Sequence, residues 1–518
     1  MNGAEVLMKT AAAAGIEVCF TNPGTTELPL VEAFDTVKGI RPVLGLFEGC
    51  CAGAADGYAR MTEKPAMTLF HLGPGLGNAI ANLHNARRAR SPVLNIVGDH
   101  ATWHLDADAP LTMDVNALAR TVSGWTGTAV SAETISRNTA QAIAAAREGC
   151  VATLMMPQDV QWTEIPHQVI SRVERVSTAV DADLIRYAAN LMRQSTSAAM
   201  VLGGGALREA GLKAAARIQF KTGCALLSET FPAHMARGAG LPAVERIPYA
   251  PPAALQLLSR YDSIVLAGAK APVAFFGYRD GPSRLLTADQ KRVDLETGGA
   301  SIQASLAALA DALDAPPHHR LGINASTRAI RPAPPAGGFL TPKKIGAAIA
   351  ALQPENAIVV EEAVTSGVGY YGMTASVPPF SLLTLTGGAI GQGMPCAVGA
   401  AMARPDRQVI NFQADGSALY TLQALWMQAR EGLNITTLIC ANQRYKILEG
   451  EIAHAGNLSP GVYARALTHL SNPSIDWVDL SKGMGVPAVS VETTEELMRN
   501  LRESLNEPGP FLIEMRLG

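Results

Sequence analysis

The 518-residue sequence lacks an excess of charge of either sign. It holds 42 Lys and Arg against 45 Asp and Glu, for a formal net charge of −3. Without a basic excess there is no electrostatic case for a nucleic-acid partner. The 48% hydrophobic and 17% charged residues are instead typical of a globular protein, and the length exceeds what one core supports, so we expect about two to four domains.

Long apolar runs are also missing. No stretch approaches the roughly 18 uninterrupted apolar residues of a membrane-spanning helix. Glu5 stands early in the N-terminal segment, and no basic cluster precedes the apolar part of that segment. A secretory signal peptide requires such a cluster, so we expect no signal peptide and a cytoplasmic location.

Cysteine is sparse and shows no pattern. The count of seven is odd, and the residues have neither the paired spacing of zinc sites nor the density of a disulfide scaffold. Most lie inside apolar segments, so we expect buried, reduced thiols. The residues are Cys19, Cys50, Cys51, Cys150, Cys224, Cys396 and Cys440.

The sequence does contain alternating strand and helix patterns, in three successive series. They cover residues 1–170, 180–315 and 340–518, and a segment rich in Pro and Gly, residues 316–339, reads as a linker before the third. Alternation of this kind is typical of parallel, doubly wound sheets. We therefore predict an α/β fold of three consecutive domains.

The most informative stretch runs from residue 409 to 445. One apolar run ends in Asp415-Gly416-Ser417, a helical segment follows, and a second apolar run leads to Asn442. In a parallel sheet both polar ends reach the carboxyl edge, where α/β folds bind ligands. Carboxylate and amide oxygens suit Mg²⁺ or Ca²⁺, and the amides after Gly416 favour anionic oxygens. The pattern predicts a metal-bridged diphosphate; the alternative is an ordinary strand-to-helix turn with an incidental polar tip.

The order Asp-Gly-Ser, then Asn-x-x-Tyr 27 residues after the aspartate, resembles the diphosphate motif of thiamine diphosphate enzymes. The usual sequence of that motif is Gly-Asp-Gly and Asn-Asn; here Ala414 replaces the first glycine and Gln443 the second asparagine. The resemblance implies that Asp415, Asn442 and the backbone carbonyl of Arg444 hold the metal. It also implies that the cofactor contacts a set of further residues, namely Gly24, Glu48, Thr365, Gly388, Ile390, Gly416, Ser417 and Tyr445.

The whole chain is similar to benzoylformate decarboxylase, pyruvate decarboxylase and acetolactate synthase, whose domains bind the pyrimidine, form a central unit and bind the diphosphate. The resemblance implies that a carboxylate faces the aminopyrimidine and activates the cofactor, and Glu48 in LFEGCCAGAADGYAR is that residue. The alternative is an acidic residue that merely begins a helix. In TLTGGAIGQGMP, the carbonyl of Gly388 would meet the 4′-amino group, and Ile390 would be the apolar wedge under the bent cofactor.

Two further residues match active-site positions of benzoylformate decarboxylase. Thr25 stands where that enzyme has a serine, and His71 matches an active-site histidine that can transfer protons. An N-cap role for Thr25 and a structural role for His71 are the alternatives. The second active-site histidine of that enzyme has no counterpart in GAKAPVAFFGY, and either His100 or His104 could compensate.

The resemblance implies non-oxidative decarboxylation of a 2-oxo acid, with possible carboligation to an acyloin, by a thiamine diphosphate- and Mg²⁺-dependent carbon–carbon lyase or acyltransferase. Two alternatives are an acetolactate synthase-type carboligase and a cofactor-binding protein without turnover. FAD, which the central domain would hold in a synthase, is possible but not expected; Gly203-Gly204-Gly205 alone is weak support for a nucleotide. The resemblance also implies homodimers or homotetramers with active sites at subunit interfaces. From the lack of long apolar runs we expect no membrane partner.

Overall fold

The computed structural model describes residues 1–165, 170–173, 179–279, 281–295, 301–317, 329–456 and 459–517. The chain forms two compact units. The first comprises Met1–Arg175, Pro332–Met373 and Leu385–Gly518, and the second comprises Val176–Arg331 and Thr374–Thr384. The first predicted domain and the third, except residues 374–384, thus lie in one unit, while much of the predicted linker, residues 318–328, is outside the described residues.

The N-terminal part of the first unit is a parallel sheet with helices between its strands. The strands are β1 (Val18–Asn22), β2 (Arg41–Leu44), β3 (Ala66–Phe70), β4 (Val93–Asp99), β5 (Trp125–Thr128) and β6 (Val151–Pro157). The helices are α1 (Gly3–Ala13), α2 (Leu28–Thr36), α3 (Glu48–Thr62), α4 (Leu72–Ala89), α5 (Val115–Arg120), α6 (Ile135–Arg147) and α7 (Gln158–Trp162). The order is β2-β1-β3-β4-β6-β5. The inner strands are buried along nearly their whole length, as is typical of parallel strands with helices on both faces of the sheet.

The second unit has a five-stranded parallel sheet. Its strands are β7 (Ala198–Leu202), β8 (Ala225–Ser228), β10 (Glu245–Arg246), β11 (Ser263–Ala267) and β12 (Lys291–Asp294), and its helices are α8 (Ala182–Gln194), α9 (Glu209–Thr222), α10 (Pro251–Leu258) and α11 (Ile302–Ala312). The order is β10-β8-β7-β11-β12. This unit also contains an antiparallel pair, β9 (Met235–Arg237) with β14 (Phe380–Thr384).

The C-terminal part of the first unit repeats the parallel arrangement. Its strands are β13 (Ile358–Glu362), β15 (Val409–Ala414), β16 (Ile435–Ala441), β17 (Ala488–Val491) and β18 (Phe511–Arg516). Its helices are α12 (Pro342–Leu352), α13 (Tyr370–Met373), α14 (Gly393–Ala403), α15 (Asp415–Ala418), α16 (Ala424–Arg430), α17 (Lys446–His454), α18 (Val462–Thr468), α19 (Trp477–Gly483) and α20 (Thr494–Asn506). Parallel pairing gives the order β17-β18-β16-β15-β13. The three sheets confirm the predicted α/β fold class.

Helices α3 and α14 pack with their backbones in contact. A Cβ built on Gly57 would lie 2.1 Å from the carbonyl oxygen of Cys396, and one built on Gly399 would lie 1.8 Å from that of Ala54. Only glycine permits so close an approach. The helix that begins at Glu48 is therefore fixed against α14 of the C-terminal part.

The sequence predicts buried, reduced cysteines and no membrane-spanning helix. All seven cysteines are free thiols; Cys150 is half-buried and the other six are buried. Burial raises the pKa of the Cys224 thiol to about 11 and that of Cys396 to about 12. Among the described helices, none has the length and apolar character that crossing a membrane requires.

Candidate functional site

Glu48 lies at the carboxyl edge of the first sheet, as the first residue of α3 after strand β2. Its side chain is nearly buried, and the Asn78 amide on α4 donates a hydrogen bond of 2.9 Å to Oε2. A Cβ built on Gly75 would lie 3.3 Å from Glu48 Oε1 and 3.5 Å from His71 Cβ. Glu48 and His71 therefore flank the same small space beside Gly75.

His71 follows strand β3 and is the N-cap residue of α4. Its Nδ1 lies 2.8 Å from Oε2 of Glu27, a carboxylate with no solvent exposure. The hydrogen bond with Glu27 raises the pKa of His71, against the effect of burial, and the charges of Glu27 and Glu48 add to the rise. Sequence reasoning missed Glu27, because an acidic residue in NPGTTELP is indistinguishable from an ordinary helix-starting acid.

The segment just before Glu27 packs around the contact between Glu27 and His71. Thr25 is exposed, whereas Thr26 is buried, with its Oγ1 3.2 Å from His71 Nδ1. The Thr26 hydroxyl also donates to Glu27 Oε1 at 2.5 Å, and the Gly24 amide donates to Oε2 at 2.9 Å. A Cβ on Gly24 would lie 2.2 Å from the His71 ring. The hydroxyl that contacts His71 is thus that of Thr26 rather than that of Thr25.

His100 and His104 follow strand β4, the neighbour of β3. Their ring centroids are 5.4 Å apart, and the buried Nε2 atom of His100 has no hydrogen-bond partner among the residues that the structure describes. The preceding residue, Asp99, has a raised pKa, chiefly because burial disfavours its charge. In the described part of the chain neither histidine is hydrogen-bonded to His71 or packed against its ring, so the suggested compensation stays a prediction.

Asp415 and Asn442 lie at the ends of adjacent strands, because β15 and β16 pair in parallel with Ala414 opposite Cys440. Asp415 is buried, and its carboxylate accepts hydrogen bonds from the Gly416 amide at 2.8 Å and the Gln443 amide at 2.6 Å. Burial raises the pKa of Asp415. Within the described ranges no basic side chain forms an ion pair with it, so a bound cation would balance its charge.

The donors beside Asp415 fit a hard metal better than a transition metal. Asn442 contributes an amide oxygen, which accepts the Arg444 amide at 3.0 Å. Among the described residues there is no group of three or more His, Cys, Asp or Glu side chains that could hold a metal. A carboxylate, an amide oxygen and a backbone carbonyl are the ligand types of Mg²⁺ and Ca²⁺, so these residues fit the predicted ion.

The neighbouring cofactor candidates lie on the same edge. A Cβ on Gly416 would lie 2.4 Å from the ring of Tyr445, so the ring packs directly against this glycine. Ser417 Oγ donates to the Ala414 carbonyl at 3.3 Å, and Thr365 is half-buried in a 3-10 turn after β13. The expected single amphipathic helix after Asp415 is instead the short α15, a 3-10 turn and α16.

Three non-glycine residues in the left-handed backbone region adjoin three site candidates. Leu72 (φ 52°) follows His71, Val364 (φ 49°) precedes Thr365, and Gln443 (φ 54°) follows Asn442. This conformation costs an L-residue about 1–3 kcal/mol, and it is rarest for a β-branched side chain such as Val364. Such strain persists where the surrounding structure holds it, and it concentrates at functional sites.

The loop that carries Gly388 and Ile390 is held by asparagines of α4. Asn85 Nδ2 donates to the Ala389 carbonyl at 2.7 Å, and Asn82 Nδ2 donates to the Gly49 and Gly391 carbonyls at 2.8 and 3.3 Å. Gly388 has φ 76°, which favours glycine, and Ile390 is half-buried. Asn78, Asn82 and Asn85 thus follow one face of α4 from Glu48 to this loop.

A buried carboxylate holds the other side of the loop. Glu362, at the end of β13, accepts the amides of Gly391 at 2.7 Å and Gly393 at 2.5 Å, and the Gln413 side chain at 2.9 Å. Its pKa is raised because burial outweighs these hydrogen bonds. Like Glu27, this residue gave no recognisable sequence signal, since its partners are backbone amides distant in the chain.

A cavity of about 580 Å³ adjoins the turn after β16. Its volume is in the range of small-ligand sites. It is lined by Phe339, Leu340, Ala441, Asn442, Gln443, Arg444, His469, Ser471, Glu492, Arg516 and Leu517.

In the second unit, Gly203-Gly204-Gly205 lies in a tight turn, and the aromatic residues of GAKAPVAFFGY pack against other aromatic rings. A Cβ on Gly203 would lie 2.7 Å from the Gly268 carbonyl oxygen, so this turn closes tightly against the end of β11. Phe275 packs against Phe276, with centroids 5.0 Å apart, and against Tyr249 at 5.4 Å.

Comparisons with known proteins agree with this architecture. Residues 1–118 match the family model described as thiamine pyrophosphate enzyme, N-terminal TPP binding domain, and residues 367–515 match that for the C-terminal TPP binding domain. The chain therefore belongs to the thiamine pyrophosphate (thiamine diphosphate) enzymes, in the group that includes acetolactate synthases and benzoylformate decarboxylases.

Individual relatives span the full chain. A Mycobacterium tuberculosis protein provisionally described as the acetolactate synthase large subunit IlvX is 47% identical, with 99% of each chain covered. Benzoylformate decarboxylase of Pseudomonas aeruginosa is 29% identical over 97% of this chain and 96% of its own. The structure of a 4-hydroxybenzoylformate decarboxylase of Rhodococcus jostii RHA1 superposes with a TM-score of 0.86, at 24% identity, over 100% of this chain and 99% of that one, which supports the fold.

Proposed function

We propose that this chain catalyses the thiamine diphosphate- and Mg²⁺-dependent decarboxylation of a 2-oxo acid. The observation that carries the proposal is the placing of two separate clusters at carboxyl edges of parallel sheets. One contains Glu48 beside His71, and the other contains Asp415 beside Asn442. Ligands bind at such edges in α/β folds.

The C-terminal cluster would hold the metal and the diphosphate. Asp415, Asn442 and the Arg444 carbonyl are the proposed metal ligands, and Gly416, Ser417, Thr365 and Tyr445 are the proposed cofactor contacts. The uncompensated, buried carboxylate of Asp415 supports this assignment, because a buried charge is costly unless a cation balances it. When bound, thiamine diphosphate supplies an electron sink for the decarboxylation step.

The N-terminal cluster would carry out the proton transfers. Glu48 would share a proton with the aminopyrimidine of the cofactor, and its near-complete burial supports this role because it limits proton exchange with water. Gly388 and Ile390 are proposed to contact the cofactor between its pyrimidine end and its diphosphate end. His71 would give and take protons at the reacting carbon of the substrate; Thr25 is exposed and remains a candidate for contact with the substrate.

A panel of 2-oxo acids tests the function directly. With thiamine diphosphate and Mg²⁺ present, we expect CO₂ release and an aldehyde product from at least one aliphatic or aromatic 2-oxo acid. Omission of either cofactor, after treatment with a chelator, should abolish the release. Cofactor binding without CO₂ from any member of the panel would instead indicate a binding protein without turnover and would contradict the proposal.

The second candidate is an acetolactate synthase-type carboligase, favoured by the 47% identity to the M. tuberculosis protein. Product analysis separates the two: a carboligase forms an acyloin in place of free aldehyde. The absorption spectrum of the purified protein provides a second criterion, because a flavin on the central domain gives a yellow colour.

We also propose that the active chain is a homodimer or homotetramer whose sites combine the Glu48 cluster of one chain with the Asp415 cluster of another. Mixing Glu48→Gln chains with Asp415→Asn chains tests this arrangement. Each variant alone should be inactive, and the mixture should regain activity, because hybrid dimers contain one site with both residues intact. No recovery, once native mass spectrometry shows that the chains have exchanged, would indicate sites within single chains.

A further inference from the structure

The carboxylate of Glu27 is surrounded by groups that can donate hydrogen bonds to it. The Gly24 amide and His71 Nδ1 meet Oε2, and the Thr26 hydroxyl meets Oε1, all within 2.9 Å. The carboxylate has no solvent exposure, and in the described part of the chain no lysine or arginine pairs with it. Among the described residues, the basic side chain in contact with this carboxylate is that of His71.

The same contacts determine which nitrogen of His71 carries a proton. The Thr26 hydroxyl gives its proton to Glu27 Oε1, so its oxygen presents a lone pair to His71 Nδ1 at 3.2 Å. Glu27 Oε2 presents a second acceptor to the same atom at 2.8 Å. Two acceptors at Nδ1 require an N–H there. Nε2, which makes no hydrogen bond within the described residues, is left as the atom that exchanges protons.

We propose that Glu27 is a positioning residue for His71: it holds Nδ1 protonated, orients the ring, and directs Nε2 toward the reacting centre. The catalytic part of this inference rests on the function proposed above. The step itself is a proton transfer, in which His71 Nε2 loses a proton to the substrate-derived carbon or oxygen and later regains one, while the Nδ1 proton stays with the Glu27 contact.

Gly98 on β4 supplies an independent way to disturb the pair. A Cβ built on Gly98 would lie 1.7 Å from Glu27 Oε1 and 2.6 Å from Cδ. Gly98→Ala therefore displaces the carboxylate without changing any charge. Glu27→Gln removes the charge at nearly constant volume. The other carboxylates that bear on the pair are Glu48, which faces His71, and Asp99, which adjoins Glu27.

The test measures His71 directly in the protein without cofactor. Diethylpyrocarbonate modifies neutral imidazole, so its rate at the His71 peptide, followed by mass spectrometry across pH, gives the midpoint of His71 ionisation. We expect a lower midpoint in both Glu27→Gln and Gly98→Ala. Glu32→Gln, on the exposed side of α2, makes the same charge change and should leave the midpoint unaltered. His454 serves as the internal reference.

Steady-state kinetics test whether the contact between Glu27 and His71 contributes to turnover. Glu27→Gln should lower kcat by at least about ten-fold, a part of the roughly 10²–10⁴-fold that positioned acid–base groups contribute, with a smaller effect on KM. In a His71→Asn background the same substitution should cause no further loss. Equal His71 midpoints in wild type and both variants would overturn the inference, even if the enzyme is active. Shifted midpoints in a protein that releases no CO₂ would refute the proposed function alone.

Discussion

Glu48→Gln is expected to lower turnover by at least about two orders of magnitude, the lower end of the contribution of positioned acid–base groups. Glutamine keeps the size of the side chain and an oxygen that can accept a hydrogen bond from the Asn78 amide, but its neutral amide does not ionise and so cannot exchange a proton with the aminopyrimidine. The effect should fall on kcat, measured by CO₂ release under saturating cofactor, while cofactor affinity changes little.

Glu63→Gln, which alters the residue just beyond the other end of α3, provides the matched change of charge and should retain the wild-type rate. Wild-type turnover in Glu48→Gln would remove Glu48 from the mechanism. It would leave the family membership of the chain unaffected, because that rests on the whole sequence.

Asp415→Asn should weaken cofactor binding by more than the roughly 10- to 100-fold that loss of an outer metal partner costs. Asparagine retains one oxygen but lacks the charge that a buried cation needs, and the Gln443 and Gly416 amides then lose their charged acceptor. Titration of thiamine diphosphate at fixed Mg²⁺, followed by calorimetry, measures the change.

The control for this prediction is Asp406→Asn. That carboxylate is exposed and its pKa is lowered mainly by its hydrogen bond with Arg404, so the substitution removes the same charge at a distance from the site. Affinity should stay within two-fold or so of wild type, because surface ion pairs contribute little. Unchanged affinity in Asp415→Asn would refute the proposed metal site.

The sequence was sufficient to predict that Asp415 and Asn442 lie at adjacent strand ends. Each follows an apolar strand, and parallel strands joined by a helix bring such ends to one edge of a sheet. The position of Glu48 was predictable because the resemblance indicates which strand end carries it. The roles assigned to these residues remain predictions.

Glu27 and Glu362 were not predictable, for a physical reason. The interaction of Glu27 is with a histidine 44 residues away, and that of Glu362 is with backbone amides about 30 residues away. Neither separation leaves a periodic pattern in the sequence. The inclusion of residues 374–384 in the second unit was likewise invisible, because it depends on an antiparallel partner, β9, more than a hundred residues earlier.

The asparagines of α4 have a consequence for attempts to change the substrate. From Asn78 to Asn85 the helix is a rigid rod about 10 Å long, with Glu48 at one end and the Ala389 backbone at the other. We therefore expect a substitution that reshapes the loop around Ala389 to affect the carboxylate of Glu48 as well. Attempts to change the substrate should therefore leave this loop and α4 unaltered. They should begin at other positions, such as the exposed Leu448 on α17.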